Sequence, residues 1–545
     1  MCIHFFRAFA ILLGICLCSP AGNGQEKKEA IITPFQETAD SLLASSALQM
    51  LEYWHLPHFM SWSRLKGSDS DAAFLKQCKR FPDDLMKALS NRESVDHESA
   101  VHFLALYASV SRNHAARLLE KDLSSTANLA LAPHTVKIRE ALIASLQVNA
   151  PKTRLMAAIA LLSLDERHSK ANEVLQASAT LADVELLSES SWIIGVAGLT
   201  SPQAIEFLSR LLKHRDPSVR ESAASAAITM GPLARDLAPA LIAFLETGDD
   251  ARGKYIAPFT IQLTQSRNLA LVALESMKQH AKPAVPAILA RFVKANDEDK
   301  IAMLACLASI GHKDDACLAL ARKSLDNEKP NLKIAAACTI LHLASGDRKA
   351  TELLKSALAD EATLNLALET CRRFGPPSRE IVASLVLILD SKTEDVRINA
   401  AYALAQIGPL AVESVPGLDR MLAKDVDNKT HTFASSCAAA YALGKIGGKD
   451  AAAVLLRVAD SKAPGTPYAM MFLPDLGDDL PPTTLAVLLR AIESDDGPKD
   501  VAAIALCNLG EHARPVRRYM ERLLEVPEAG WILDTALRRI PANPR

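Results

Sequence analysis

Between residues 394 and 422 the apolar positions fall with a helical period. Val396, Ala400, Ala403, Leu404 and Ile407 share one face of a predicted helix. Gly408 ends it, because glycine takes a left-handed stop without a Cβ clash. Pro416 then opens a second apolar run, Leu418, Met421 and Leu422. The pattern recurs. Val219, Arg220, Ala223, Ala227, Gly231, Pro232, Ala234, Pro239 and Leu241 precede Val396, Arg397, Ala400, Leu404, Gly408, Pro409, Ala411, Pro416 and Leu418 by a constant 177 positions. A third copy, YALGKIGG from Tyr441, follows YALAQIGP from Tyr402 by 39. Helix stops at Gly311, Ala344, Gly375, Gly408, Gly447, Gly477 and Gly510 are spaced by 30 to 39 residues. That step is the length of a two-helix unit stacked into a solenoid.

The chain resembles the HEAT-repeat family, including the HEAT-like repeats of phycobilisome lyases. Asp216-Pro217 with Val219-Arg220, and Glu394-Asp395 with Val396-Arg397, carry the resemblance, each followed by an alanine-rich helix and a closing Gly-Pro. It runs from about residue 201 to 524 and is weaker over 135–199. It implies an all-α, right-handed superhelical solenoid of roughly ten to twelve stacked helix pairs, with a divergent helical N-terminal region. It also implies a ladder of Asp–Arg pairs between repeats, with Arg397 a rung. Lys300, Lys333, Leu364 and Ser436 stand where other repeats would carry the arginine, so the ladder is expected to be interrupted.

The organisation expected along the chain has three parts. Residues 1–24 read as an export leader: Arg7, an apolar core over 8–18, then small residues at Ala21 or Gly24. The core is shorter than the roughly 20 apolar residues of a membrane span. Ile15 and Leu17, ahead of Cys16 and Cys18, are too large for a lipid-attachment signal. The expected location is therefore exported, periplasmic or extracellular, without a lipid anchor and with no stable membrane span once the leader is cleaved. Residues 25–133 form a divergent helical region. It contains an aromatic cluster (Tyr53, Trp54, Phe59 and Trp62) suited to capping the first helix pair. Residues 134–545 form the repeat solenoid, closed by a cap helix in which Trp531 covers the last core. Two stretches, 251–267 and 463–484, break the rhythm and read as insertions. In the second, Met470, Met471 and Phe472 look exposed. Insertions in solenoids gather on one face, often the binding face.

Composition narrows the function. Apolar residues make up 49% of the chain but aromatics only 5%, as expected where small residues let helices stack closely. A formal charge of −2 gives no overall field for nucleic acid. Charges sort by turn. Asp216, Asp249-Asp250, Asp297-Glu298-Asp299 and Glu394-Asp395 enter helices; Arg235, Lys282, Arg372-Arg373 and Lys445 leave them. Helix capping accounts for the sorting, and an acidic rim docking a basic partner or Ca²⁺ is the functional alternative.

The cysteines outside the leader, Cys78, Cys306, Cys317, Cys338, Cys371, Cys437 and Cys507, are dispersed without CxxC spacing, which argues against zinc. Cys306 with Cys317 is the one pairing considered within a repeat. His55 and His58 flank Pro57, and His97 with His102 has poor ligand spacing. The densest reactive group is His312, Asp314, Asp315 and Cys317, in an inter-helix turn. P-loop, dinucleotide, zincin and serine-hydrolase motifs are all missing. No catalytic, cofactor or metal site is assigned. The expected function is an exported, non-enzymatic scaffold whose concave helix faces hold a protein or peptide. The alternatives are a lyase-like enzyme or accessory subunit on the same solenoid, or a purely structural envelope component.

Overall fold

In the computed structural model the described residues are 83–92, 95–117, 134–246, 268–311, 314–423, 434–523 and 537. The leader, the aromatic cluster at 53–62, the 251–267 stretch, His312 and Trp531 lie outside them. Every regular element among the described residues is a helix. The chain divides into two compact units, Met1–Ala287 and Ile288–Arg545.

In the first unit the helices are α1 (Val95–Arg117), α2 (Thr135–Ser145), α3 (Pro151–Leu164), α4 (Ser169–Ser178), α5 (Val184–Ala197), α6 (Pro202–Leu211), α7 (Pro217–Met230), α8 (Ala238–Glu246) and α9 (Leu269–Ser276). Helix α10 (Val285–Phe292) spans the boundary. Helices α1, α3, α5, α7 and α9 stack on one another as a close-packed layer; α2, α4, α6 and α8 form a second layer behind it. The stacking is tight because the shared faces are small. Gly195 of α5 lies so near α7 that a Cβ there would come within 2.6 Å of the Ala226 Cα.

The second unit repeats the arrangement with α11 (Asp297–Ile310), α12 (Asp315–Ser324), α13 (Pro330–Leu343), α14 (Arg348–Ala359), α15 (Leu364–Phe374), α16 (Arg379–Ile388), α17 (Glu394–Ile407), α18 (Val415–Ala423), α19 (Ala434–Ile446), α20 (Gly448–Ala459), α21 (Thr466–Phe472), α22 (Thr484–Glu493), α23 (Lys499–Leu509) and α24 (Arg517–Arg522). The odd-numbered helices α11 to α23 form its close-packed layer, and the even-numbered ones sit behind. The expected stack of two-helix HEAT-like repeats is therefore present in each unit.

Helix α17 buries Val396, Ala400, Ala403, Leu404 and Ile407, as its period predicts. Gly408 stops it at φ +70, ψ −138. This is not the left-handed helical well but a region open essentially to glycine alone. The Gly408–Ser414 segment then makes a 3-10 turn before α18, where Leu418, Met421 and Leu422 are buried.

Four expectations change. Among the described residues Arg397 pairs with no aspartate as a ladder rung would: its guanidinium donates to the carbonyls of Ser391 (2.8 Å) and Lys392 (3.1 Å) in the turn that leads from α16 into its own helix. The stretch 463–484 is not a loop insertion. Pro467 sits in the first turn of α21, a 3-10 turn Leu473–Asp479 follows, and Met470 and Phe472 are 2% and 1% exposed. It is one more repeat of the close-packed layer. Cys306 and Cys317 are both free thiols, not a disulfide. Finally, where no second segment was expected to qualify as a membrane span, Pro217–Glu246 is long and apolar enough to cross a membrane. It consists of α7, a 3-10 turn and α8, and its apolar residues are the repeat's buried face.

Candidate functional site

The residues singled out for chemistry are mostly structural. Asp314 caps α12 by accepting from the Ala316 N–H at 2.8 Å. Cys317 is fully buried, and burial, with Asp314 adding to it, pushes its thiol up to about 11. A buried thiol held protonated is no nucleophile. Asp183, Asp216, Asp347, Asn268 and Asn296 likewise cap helix starts, while Asp297, Glu298, Asp299, Glu394 and Asp395 lie in the first turns of α11 and α17. Among the described residues no group of three or more potential ligands is placed to hold a metal ion. An open groove in the first unit is lined by Asp165, Glu166, Asn172 and Glu173. Two of its acids already serve as caps, accepting from the N–H groups of Arg167 and Thr200 at 3.1 Å each.

His97 and His102 do not meet each other. Both are buried, and each finds a partner that its sequence neighbourhood does not announce. His97 Nε2 lies 3.1 Å from Ser145 Oγ of α2. His102 Nε2 lies 2.7 Å from Glu189 Oε1 of α5. Burial lowers the His97 pKa, against weaker opposing contacts to the Leu89 and Ala88 carbonyls. This is a polar seam that docks α1, not a ligand set.

What remains is a strip on the close-packed layer of the second unit. Tyr402 of α17 and Tyr441 of α19 are half-buried, with ring centroids 5.7 Å apart and planes at 57°. Tyr441 meets Phe472 of α21 edge-on at 5.6 Å. Lys445 sits 5.6 Å above the Tyr441 ring and pairs with Asp475 at 3.2 Å. Arg373, one turn before the end of α15, lies 5.8 Å from the Phe374 ring, and half-buried Arg372 stands near Tyr402. Asn399 and Gln406 present amides on the same helix as Tyr402. Burial raises the pKa of both tyrosines, so the phenols stay neutral. Two successive helices thus offer part-solvated rings, backed by the buried Phe472 and flanked by cations and amides, an arrangement that can stack, hydrogen-bond and pair with carboxylates. Sequence reasoning used Tyr402 and Tyr441 only as repeat markers. The available signal was that a large ring recurs at the same position of consecutive alanine-rich copies.

Residues 437–461, most of α19 and all of α20, match the PBS lyase HEAT-like repeat model. No curated protein sequence matches the chain. Among solved structures it is similar to the Kap95:Nup1 complex chain (14% identity, TM-score 0.44, covering 97% of this chain and 81% of that one). It is also similar to importin beta crystallised in polyethylene glycol (11%, 0.37, 90% and 78%). A third likeness is to the karyopherin Kap121p bound to the extreme C-terminus of the phosphatase Cdc14p (12%, 0.32, 85% and 53%). The chain spans about half the length of Kap121p.

Proposed function

We propose that this HEAT-like repeat protein is an exported, non-enzymatic scaffold that binds a protein segment along the strip formed by Tyr402 and Tyr441. The observation that carries the reading is the pairing of exposure with aromatic character there. Rings are scarce in this chain, yet two half-buried tyrosines lie adjacent on the layer where most other large side chains are buried. Interfaces concentrate Tyr and Arg at their centres. The non-enzymatic part is supported by the roles found for the candidate groups: Cys317 is buried and protonated, and Asp314 is committed to a cap. Export is supported by the leader-like composition of residues 1–24.

A photo-crosslinking residue at Gln406, beside the strip, is the direct test. The control position is Leu387, 79% exposed on α16 of the second layer. A discrete crosslinked protein from Gln406, missing from Leu387 and lost with Tyr402→Ala plus Tyr441→Ala, is expected. Equal labelling from both positions, or none from Gln406, overturns the reading. N-terminal sequencing of the protein recovered outside the cytoplasm tests the leader, and an intact Met1 retained inside would refute export.

A further inference from the structure

Helices α11, α15, α17, α19 and α23 each stop at a glycine: Gly311, Gly375, Gly408, Gly447 and Gly510. Three residues before that stop, the chain faces the next helix of the layer. At Gly444 of α19 an added Cβ would lie 3.2 Å from the Asp475 Cβ and the Phe472 carbonyl oxygen. Ala308, Ala405 and Cys507 hold the same position in α11, α17 and α23, and all are buried. In α15 the residue is Arg372, a half-buried cation in a seam that is otherwise small and uncharged. The end of α15 lies against α17, because a Cβ on Gly375 would come 2.8 Å from the Gln406 carbonyl oxygen. Arg372 therefore stands between these two helices, within one turn of Tyr402, and its charge opposes the rise in that phenol's pKa.

The neighbouring cations of the strip are already engaged. Lys445 pairs with Asp475 at 3.2 Å, and Arg373 lies 5.8 Å from the Phe374 ring. Arg372 makes no hydrogen bond or ion pair among the described residues, although Glu369 is one turn earlier on its own helix and exposed. The last turn of a helix suits a cation, but its carbonyls supply no counter-ion. A charge withdrawn from water is unfavourable until it is paired.

We propose that Arg372 receives a carboxylate from the segment bound on the strip, so that the partner is acidic: an aspartate or glutamate beside an aromatic or apolar residue that packs on Tyr402 and Tyr441. This rests on the strip being the binding surface. The planar guanidinium can give parallel N–H donors to both oxygens of a carboxylate, which fixes the register of the segment while the rings supply contact area.

The test is fluorescence anisotropy on the full chain with three labelled peptides, each a short run of Pro-Phe-Glu, Pro-Phe-Gln or Pro-Phe-Lys repeats. Proline keeps them extended and phenylalanine supplies a ring. The Glu peptide is expected to bind about tenfold more tightly than the Gln peptide, and the Lys peptide most weakly. Arg372→Gln should abolish the difference between the Glu and Gln peptides with little change in melting temperature, since the side chain bonds to nothing in its own chain. Arg372→Lys, which keeps the charge but not the fork, should retain only part of it. Arg373→Gln removes the same charge one residue away and should keep most of it. Equal binding of the Glu and Gln peptides by the wild type overturns the proposal. So does equal loss in Arg372→Gln and Arg373→Gln, or no binding of the Glu peptide. A Gln406 crosslink that survives Arg372→Gln but is lost with Tyr402→Ala plus Tyr441→Ala would sink the acidic partner and leave the strip standing as a binding surface.

Discussion

Arg397 donates to the main-chain carbonyl of Ser391, six residues earlier, at 2.8 Å. Arg220 does the same to His214 at 2.7 Å, and Arg154 to Val148 at 3.1 Å. In all three, an arginine in the first turn of a close-packed helix satisfies a carbonyl left over where the preceding second-layer helix ends. The arginine ties the start of its helix to the turn that follows the preceding second-layer helix. Replacing Arg397 by Ala is expected to cost about 1.5–3 kcal/mol, the range for a charge-assisted hydrogen bond, measured as a lower urea midpoint. Both bonds leave one nitrogen, Nη1, and Arg397→Lys should recover only part of the loss, because the shorter lysine stem ends before that nitrogen's position. Equal stability of wild type and Arg397→Ala would show that water serves the carbonyls as well.

The repeat was legible because it is written in short-range order: Val396, Ala400, Leu404 and Gly408 report their own helix. The role of Arg397 was not, since the sequence supplies the residue but not the carbonyl it reaches. Arg154, in a stretch where the resemblance was weak, turned out to share the geometry. The 463–484 stretch was misread for a related reason. Its prolines looked like loop punctuation, but Pro467 is in a first helical turn, where proline is tolerated. The aromatic strip depends on how far α17, α19 and α21 slide along one another, and no single-helix pattern encodes that.

Ion pairs between repeats also run along the second layer. Arg420 of α18 reaches Asp390 at 3.1 Å, Arg457 of α20 reaches Asp419, and Arg490 of α22 reaches Asp460 at 2.8 Å. The side chains are largely solvated, so each pair should contribute only about 0.2–1 kcal/mol. Asp460→Asn is expected to lower the melting temperature slightly at low salt, and the difference should shrink in 1 M NaCl. A large loss that salt does not reduce would mean that Asp460 acts through something other than Arg490.

Gly195 marks the tightest approach of helices in the first unit. An added methyl would meet the Ala226 Cα, Cβ and carbonyl oxygen at 2.6–2.9 Å, and backbone cannot swing aside as a side chain can. Gly195→Ala is therefore expected to destabilise by roughly 1–3 kcal/mol, despite alanine's better helix propensity. Gly444→Ala is the comparison: its nearest neighbours, the Asp475 Cβ and the Phe472 carbonyl oxygen and Cβ, lie farther off, at 3.2–3.3 Å. It should cost less. Thermal denaturation of both variants in one buffer decides the ranking, and a more stable Gly195→Ala would refute the packing argument.

The polar seam beneath α1 predicts a pH dependence whose sign follows from burial. His97 is 1% exposed, and loss of solvation lowers its pKa below the ordinary 6.5. The unfolded chain therefore binds the proton more readily than the folded one. The stability this group supports is complete above the unfolded value and is lost as pH falls from about 6.5 toward the lower folded value. The urea midpoint of the first unit should drop between pH 7.5 and 5.5, by on the order of 1.4 kcal/mol for each unit of pKa displacement. His97→Gln removes the titration and keeps a side chain able to bond Ser145, so its midpoint should change less over the same range. An undiminished pH slope in His97→Gln would refute the assignment of the acid sensitivity to His97.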